Sequence, residues 1–278
     1  MKGIVTVLGT GTSQGVPVIT CTCTVCKSSN SKDKRLRSSI YVSTEVGTFI
    51  IDIGPDFRSQ CLTYKINSLN AILITHEHMD HVNGLDDVRP FNYLKKMVMP
   101  IYAEERVLGE IRKRYSYIFE PIAYSGLPLI DLIPINPFSP ILINDIEVLP
   151  LRIIHGSLPI LGFKFGDFVY ITDAKYLTAE TIEAISDTKT IIINALHHKE
   201  HHSHLNLKEA LELISVNNFK NVYLTHISHQ MGLHSEVSKT LPAGVHLAYD
   251  GLKLEFEYKL IKVSELLIAL VINNINIK

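Results

Sequence analysis

The chain has 278 residues, 46% of them apolar and 20% charged, with a formal net charge of −1. That length and apolar share suit one large domain with a sizeable core, and a near-neutral chain without a long basic run argues against a broad nucleic-acid footprint. No stretch reaches the roughly 20 apolar residues of a membrane span. The opening "MKGIVTVLGTGT" breaks at glycine too early for a signal peptide, so the expected location is the cytoplasm, without a membrane partner.

Strand and helix patterns alternate along the chain. "GIVTVLG" reads as a first strand, followed by a glycine-rich turn. "SSIYVST" and "TFIIDIG" read as a hairpin joined through "EVG". "PDFRSQCLTYKI" reads as a helix with Pro55 in its first turn, and "AILITH" as a short buried strand. The stretch from Asp80 to Lys96 reads as helical pieces broken at Pro90. "MPIYA" reads as a strand, "EERVLGEIRKRYSYIF" has a helical period, and residues 127–171 carry several aliphatic strands among prolines and glycines. Thr178 is the expected N-cap of "TAETIEAIS". "TIIINAL" and "NVYLTH" are strands. Asn206 and Glu209 form a capping box before "LKEALELI", and "LKLEFEY" closes the pattern by alternation. With no short repeat and no linker, residues 1–258 read as one domain. Residues 259–278, "KLIKVSELLIALVINNINIK", read as a C-terminal extension that docks as a helix, with a homodimer contact as second reading. Its apolar run from Leu266 to Ile272 is too short for a membrane anchor.

The stretch "ILITHEHMDH" carries the chemistry. His76 and His78 are two apart at a strand end and point to one side in extended backbone. Asp80 and His81 follow where the chain turns into a helix and can offer a second ligand set. Imidazole with carboxylate suits zinc, manganese or iron. Further ligands should also sit at strand ends: His155 after "VLPLRII", Asp173 after "FVYIT" and His226 after "NVYLT". A carboxylate can bind two cations at once, so Asp173 is the natural bridge. A second cluster, "CTCTVC", places Cys21, Cys23 and Cys26 in a C-x-C-x-x-C knuckle that calls for a fourth ligand to close a tetrahedral zinc site. His229, three residues beyond His226, is the candidate. Cysteines this close suit a metal knuckle in a reducing compartment better than a disulfide framework. The glycines of "GTGTSQG" do not form a dinucleotide loop, because Gln14 stands where the third glycine belongs and "VPV" follows in place of a helix.

The ordered set "THEHMDH", His155, Asp173 and His226 resembles the metallo-β-lactamase superfamily. The resemblance runs from residue 1 to about Phe256 and implies an αββα sandwich, α/β in class, with mixed sheets and helices on the outer faces. It implies two divalent cations (zinc or manganese, with iron as an alternative), one held by His76, His78 and His155, the other by Asp80, His81 and His226, with Asp173 shared. Asp52 of "IIDIG" matches a residue that orients the ligands from behind. "LGTGTSQGVPV", the knuckle and "LTHISHQ" together resemble the phosphoribosyl 1,2-cyclic phosphate phosphodiesterase branch of the carbon–phosphorus lyase pathway, where the knuckle and a histidine bind one structural zinc. "DIGPDFR" and "GLDDVRPFNY" are similar to the same branch. Among the histidines of "HHKEHHSHLNL" (His197, His198, His201, His202 and His204), His204 stands where that branch carries its general acid, with His201 as second candidate. The implied activity is hydrolysis of a small cyclic or linear phosphodiester by a hydroxide shared between the two cations, with His204 and Asp80 as catalytic residues. Rival readings are a tRNA 3′-processing nuclease, which would want a basic arm, a thioester or lactam hydrolase on the same fold, and a metal-binding protein without enzymatic activity.

Overall fold

A computed structural model describes residues 1–120, 126–217 and 219–260. Two sheets lie face to face. The first contains β1 (Lys2–Gly9), β2 (Ser39–Ser43), β3 (Thr48–Ile51), β4 (Ala71–Leu73), β5 (Met99–Ala103) and β6 (Ile130–Pro134) in chain order, and the last strand, β15 (Lys253–Glu257), pairs beside β1. The second is built from β7 (Ile141–Ile143), β8 (Ile146–His155), β9 (Leu158–Phe165), β10 (Phe168–Ile171), β11 (Tyr176–Leu177), β12 (Thr190–Asn194), β13 (Asn221–Thr225) and β14 (Val245–Leu247), in the order β11-β8-β9-β10-β12-β13-β14 with β7 paired to β8.

Side-chain alternation explains the layering. In β3, Phe49 and Ile51 enter the core between the sheets while Ile50 faces the outer helices. In β10, Phe168 and Tyr170 point inward while Val169 and Ile171 point to the helices on the other side. Strands covered on both faces read as continuous apolar runs, which is why "TFII" and "TIIIN" show no polar alternation. At the edge, β15 buries only Leu254 and Phe256 and leaves Lys253, Glu255 and Glu257 exposed. Helices cover the outer faces: Phe57–Thr63 and Glu105–Arg114 on the first sheet, Leu207–Ser215 on the second. The architecture is therefore the αββα sandwich expected from the motifs.

Two prolines act differently from expectation. Pro55 lies ahead of its helix, whose cap is Asp56. Pro90 does not break a helix but opens one, in the first turn of Arg89–Lys95, where its missing N–H costs nothing. The Thr178 cap and the Asn206–Glu209 box form as expected. The expected C-terminal helix falls largely on residues 261–278, outside the described residues. No helix among the described residues is long and apolar enough to cross a membrane.

The topology prepares a site. β3, β4 and β5 run parallel in the first sheet, and β10, β12 and β13 run parallel in the second. Carboxyl ends of parallel strands open onto a common crevice, and both sets of ends meet at one edge of the sandwich.

Candidate active site

Each residue singled out in the motifs reaches this edge except the knuckle and the outer histidines of residues 197–202. Asp52 follows β3, His76 follows β4, His155 ends β8, Asp173 follows β10 and His226 follows β13. Asp52, Asp173 and His226 all adopt positive φ, of 65°, 58° and 54°. Such a conformation is uncommon for a residue other than glycine and costs about 1–3 kcal/mol. At a strand end it turns the side chain out of the pleat and into the crevice. The short helix Met79–Val82 supplies Asp80 and His81 from below.

The polar atoms converge on Asp173. His81 Nε2 lies 3.4 Å from its Oδ2, His226 Nε2 3.2 Å from its Oδ1, and His204 Nδ1 3.6 Å from its Oδ1. Asp80 Oδ2 is 3.1 Å from His81 Nε2, and His76 Nε2 is 2.9 Å from His78 Nδ1. Ligand atoms of His76, His78 and His155 lie within 4.8 Å of one another, as do those of Asp80, His81 and His226, and those of His76, His81 and Asp173. Only His78 of these is exposed.

Contacts from behind hold the rings. His81 Nδ1 lies 2.7 Å from Asp52 Oδ2, and Asp52 accepts from the Thr75 N–H at 2.8 Å and the Thr75 hydroxyl at 2.9 Å. His155 Nδ1 lies 2.8 Å from the carbonyl oxygens of both Asp173 and Ser203. Carbonyls only accept, so Nδ1 carries the hydrogen. Burial lowers the pKa of His76 and His226, and the partial burial of the His78 ring lowers that of His78. For His81, the carboxylates of Asp80, Asp52 and Asp173 outweigh burial and raise it well above its ordinary value. Burial also opposes ionisation of Asp173, yet His226 and His81 hold it well below the usual carboxylate range.

The donor set fits two divalent cations. Imidazole and carboxylate are borderline-to-hard ligands. His204 Nδ1 is buried without a hydrogen-bond partner, and buried polar atoms normally have one. Three buried or half-buried carboxylates also require positive charge nearby.

The knuckle lies apart. His229 Nδ1 is 3.3, 3.4 and 3.6 Å from the sulfurs of Cys21, Cys23 and Cys26, a compact four-ligand group that suits tetrahedral zinc. The Cys26 N–H and then His229 lower the Cys23 thiol to about 6.

The histidine-rich loop divides. His204 is buried, its ring 4.6 Å from that of His155 and stacked 4.9 Å from that of His226. Burial pushes it down to about 3. His201 lies one ring farther out, 5.1 Å from His204, and its Nδ1 faces the Ser203 N–H and hydroxyl. His198 bonds the Met231 carbonyl, and His202 is exposed.

The motifs did not point to Ser38, Thr75, Thr172 or the Ser203 carbonyl, which back the ligand rings. A threonine immediately ahead of His76, Asp173 and His226 was a visible signal. Ser38, remote in sequence from any ligand, left none.

A family model described as a β-lactamase superfamily domain matches residues 48–227. A solved diphosphatase from the PhnP family is 38% identical and covers 94% of this chain and 99% of its own, with a TM-score of 0.88. An octanoyltransferase of Porphyromonas gingivalis is 42% identical over 260 residues, which are 93% of this chain but 52% of that protein, so the chain spans about half the length of that relative. The short form of human tRNase Z shares the fold at 18% identity, covering 91% of this chain and 99% of its own with a TM-score of 0.65. The match of the β-lactamase superfamily model over residues 48–227 and the 38% identical diphosphatase show that the chain belongs to the metallo-β-lactamase superfamily and, within it, to the PhnP family.

Proposed function

We propose that the chain is a metal-dependent hydrolase of a small cyclic or linear phosphodiester. The observation that carries this is the convergence of imidazole and carboxylate donors on Asp173, with outer ring nitrogens already held from behind. His76, His78 and His155 would hold one divalent cation, and Asp80, His81 and His226 the other, with Asp173 between them. Such cations, when bound, lower the pKa of water towards 7 and neutralise charge on a phosphoryl group.

The protein's own groups do the rest. Asp52 fixes His81 by accepting its Nδ1–H, and the Asp173 and Ser203 carbonyls fix His155 in the same way. Asp80 and Asp173 would supply the negative charge that holds two cations at the crevice. His204 stands beside Asp173 and is the general acid in this reading. In this reading the anionic phosphodiester offsets the burial that lowers the His204 pKa, and the ring gives a proton to the leaving alkoxide. General acid help of this kind is worth about 10²–10⁴-fold. The knuckle would hold a structural zinc that ties the loop after β1 to the segment after β13. The likeness to a diphosphatase supports phosphoryl chemistry.

The 42% identical octanoyltransferase supports a second reading, hydrolysis of an acyl thioester, although octanoyl transfer is the activity of a protein about twice as long. The deciding experiment is one screen of cyclic phosphates, linear phosphodiesters, diphosphates and octanoyl thioesters, with metal content measured on the same preparation. Turnover of diesters by metal-loaded protein alone supports the first reading. Turnover confined to the thioester would replace it with the second.

A further inference from the structure

His226 has two ring nitrogens, and only one can face a cation with a lone pair. Its Nε2 lies 3.2 Å from Asp173 Oδ1, on the crevice side. Its Nδ1 points backwards, 3.2 Å from Ser38 Oγ and 3.4 Å from Thr172 Oγ1. A hydroxyl has one hydrogen to give and lone pairs to receive. Ser38 Oγ gives its hydrogen to the Gly11 carbonyl at 3.0 Å, and Thr172 Oγ1 gives its own to Asp173 Oδ2 at 2.6 Å. A carbonyl and an ionised carboxylate can only accept, so neither hydroxyl has a hydrogen left for His226. Both can only receive from it. All three side chains are buried, Ser38 at 1% exposure, Thr172 at 0% and His226 at 1%, so the ring is sealed from solvent.

We infer that Ser38 and Thr172 are positioning residues that hold His226 as the Nδ1–H tautomer and thereby aim its Nε2 lone pair into the crevice. Thr75 repeats the device at His76: its hydroxyl gives its hydrogen to Asp52 and lies 3.0 Å from His76 Nδ1. Ser38 differs in coming from the opposite sheet. It immediately precedes β2, whereas Thr172 and His226 follow strands of the second sheet. Its acceptor is set by the loop after β1, where the Gly11 N–H donates to the Leu36 carbonyl and Gly11 bridges Ile227. A Cβ on Gly11 would meet the Arg35 carbonyl at 2.8 Å, so this close approach needs glycine. Ser38 therefore makes the aim of a ligand on one sheet depend on the other.

The inference rests on His226 as a ligand, and the test separates the two claims. Cobalt(II) titration followed by visible absorption resolves the two binding steps, and ring ¹⁵N NMR of the metal-free protein reads the tautomer. Wild type should show a protonated Nδ1 at His226. Ser38→Ala, which leaves Asp173 untouched, should weaken one cation about tenfold and spare the other, and Ser38→Ala with Thr172→Val should weaken it about a hundredfold, within the usual range for partners behind a ligand. Thr172→Ser should restore wild-type binding. An unprotonated Nδ1 in wild type, or a double variant that binds both cations normally while His226→Ala loses one, would overturn the inference alone. If His226→Ala also binds both cations normally, the ligand assignment falls with it. Should Ser38→Ala fail to fold, the wild-type NMR signal decides.

Discussion

Asp52 offers the sharpest test of how this crevice is held together. Its side chain is fully buried and receives three hydrogens, from Thr75 N, Thr75 Oγ1 and His81 Nδ1. Asp52→Ala leaves all three donors without a partner in a space that water reaches poorly. Each orphaned buried donor costs about 1–3 kcal/mol, and the backbone at φ 65° disfavours alanine by roughly 1 kcal/mol. Partial relaxation will reduce the sum, so the expected loss of stability is about 3–5 kcal/mol, a large fraction of what a domain has. Asp52→Asn behaves differently. Asparagine tolerates the left-handed backbone, keeps the volume, and its carbonyl oxygen still accepts, but its NH₂ faces a donor on the other side. It should cost less stability than alanine while releasing His81 Nδ1, and so weaken one cation by about 10–100-fold. Urea melts of metal-free protein and cobalt(II) titration of both variants measure the two effects separately. Wild-type stability in Asp52→Ala, or wild-type affinity for both cations in Asp52→Asn, would refute the account of Asp52 as the anchor of His81.

Three further outcomes are expected. His204→Ala should lower kcat about a hundredfold or more on alkyl or cyclic sugar diesters and far less on a nitrophenyl diester, because only a poor leaving group needs the proton; equal losses at full metal content would assign His204 to substrate positioning instead. Cys23→Ser should lower the melting temperature, since structural zinc binding is coupled to folding, whereas Asp173→Asn, which keeps a residue tolerant of φ 58°, should abolish metal uptake in the crevice and leave the fold; calorimetry and elemental analysis of both variants decide. His234 gives a pH signature away from the crevice. Burial and then the Arg35 cation lower it to about 4, below the ordinary 6.5 of an unfolded histidine. Its contribution to stability is thus complete above pH 6.5 and is lost as pH falls from 6.5 through about 4. Asp250, which burial raises to about 6, works with the opposite sign, so the comparison is made against His234→Gln: wild type should lose more of its urea midpoint between pH 7 and 4.5 than the variant, and parallel profiles would discount the burial of His234.

Much of this protein was legible from residue order. The run "THEHMDH" joins strand-end geometry to ligand chemistry over a few residues, and local spacing suffices to read such a motif. The knuckle "CTCTVC" is local in the same way. Capping chemistry at Thr178 and Asn206 acts within one turn of helix, so it too was visible. Even the distant His155, Asp173 and His226 carried a local mark, a strand followed directly by a ligand type.

The tertiary fold decided what depends on contacts between remote segments. It placed His204 against His155 and His226 and left His201 a ring farther out, a distinction invisible in a loop of five histidines. It turned Pro90 from an apparent break into a helix start, because Pro90 falls in the first turn of Arg89–Lys95, where a missing N–H forfeits no helical hydrogen bond. It bent Asp52, Asp173 and His226 into positive φ, strain that local propensity disfavours and only the surrounding packing sustains. It also brought Ser38 behind His226 across 188 positions of sequence. A hydrogen bond between two sheets has no periodicity and no spacing to betray it, since its partners become neighbours only when both sheets have closed on a common core.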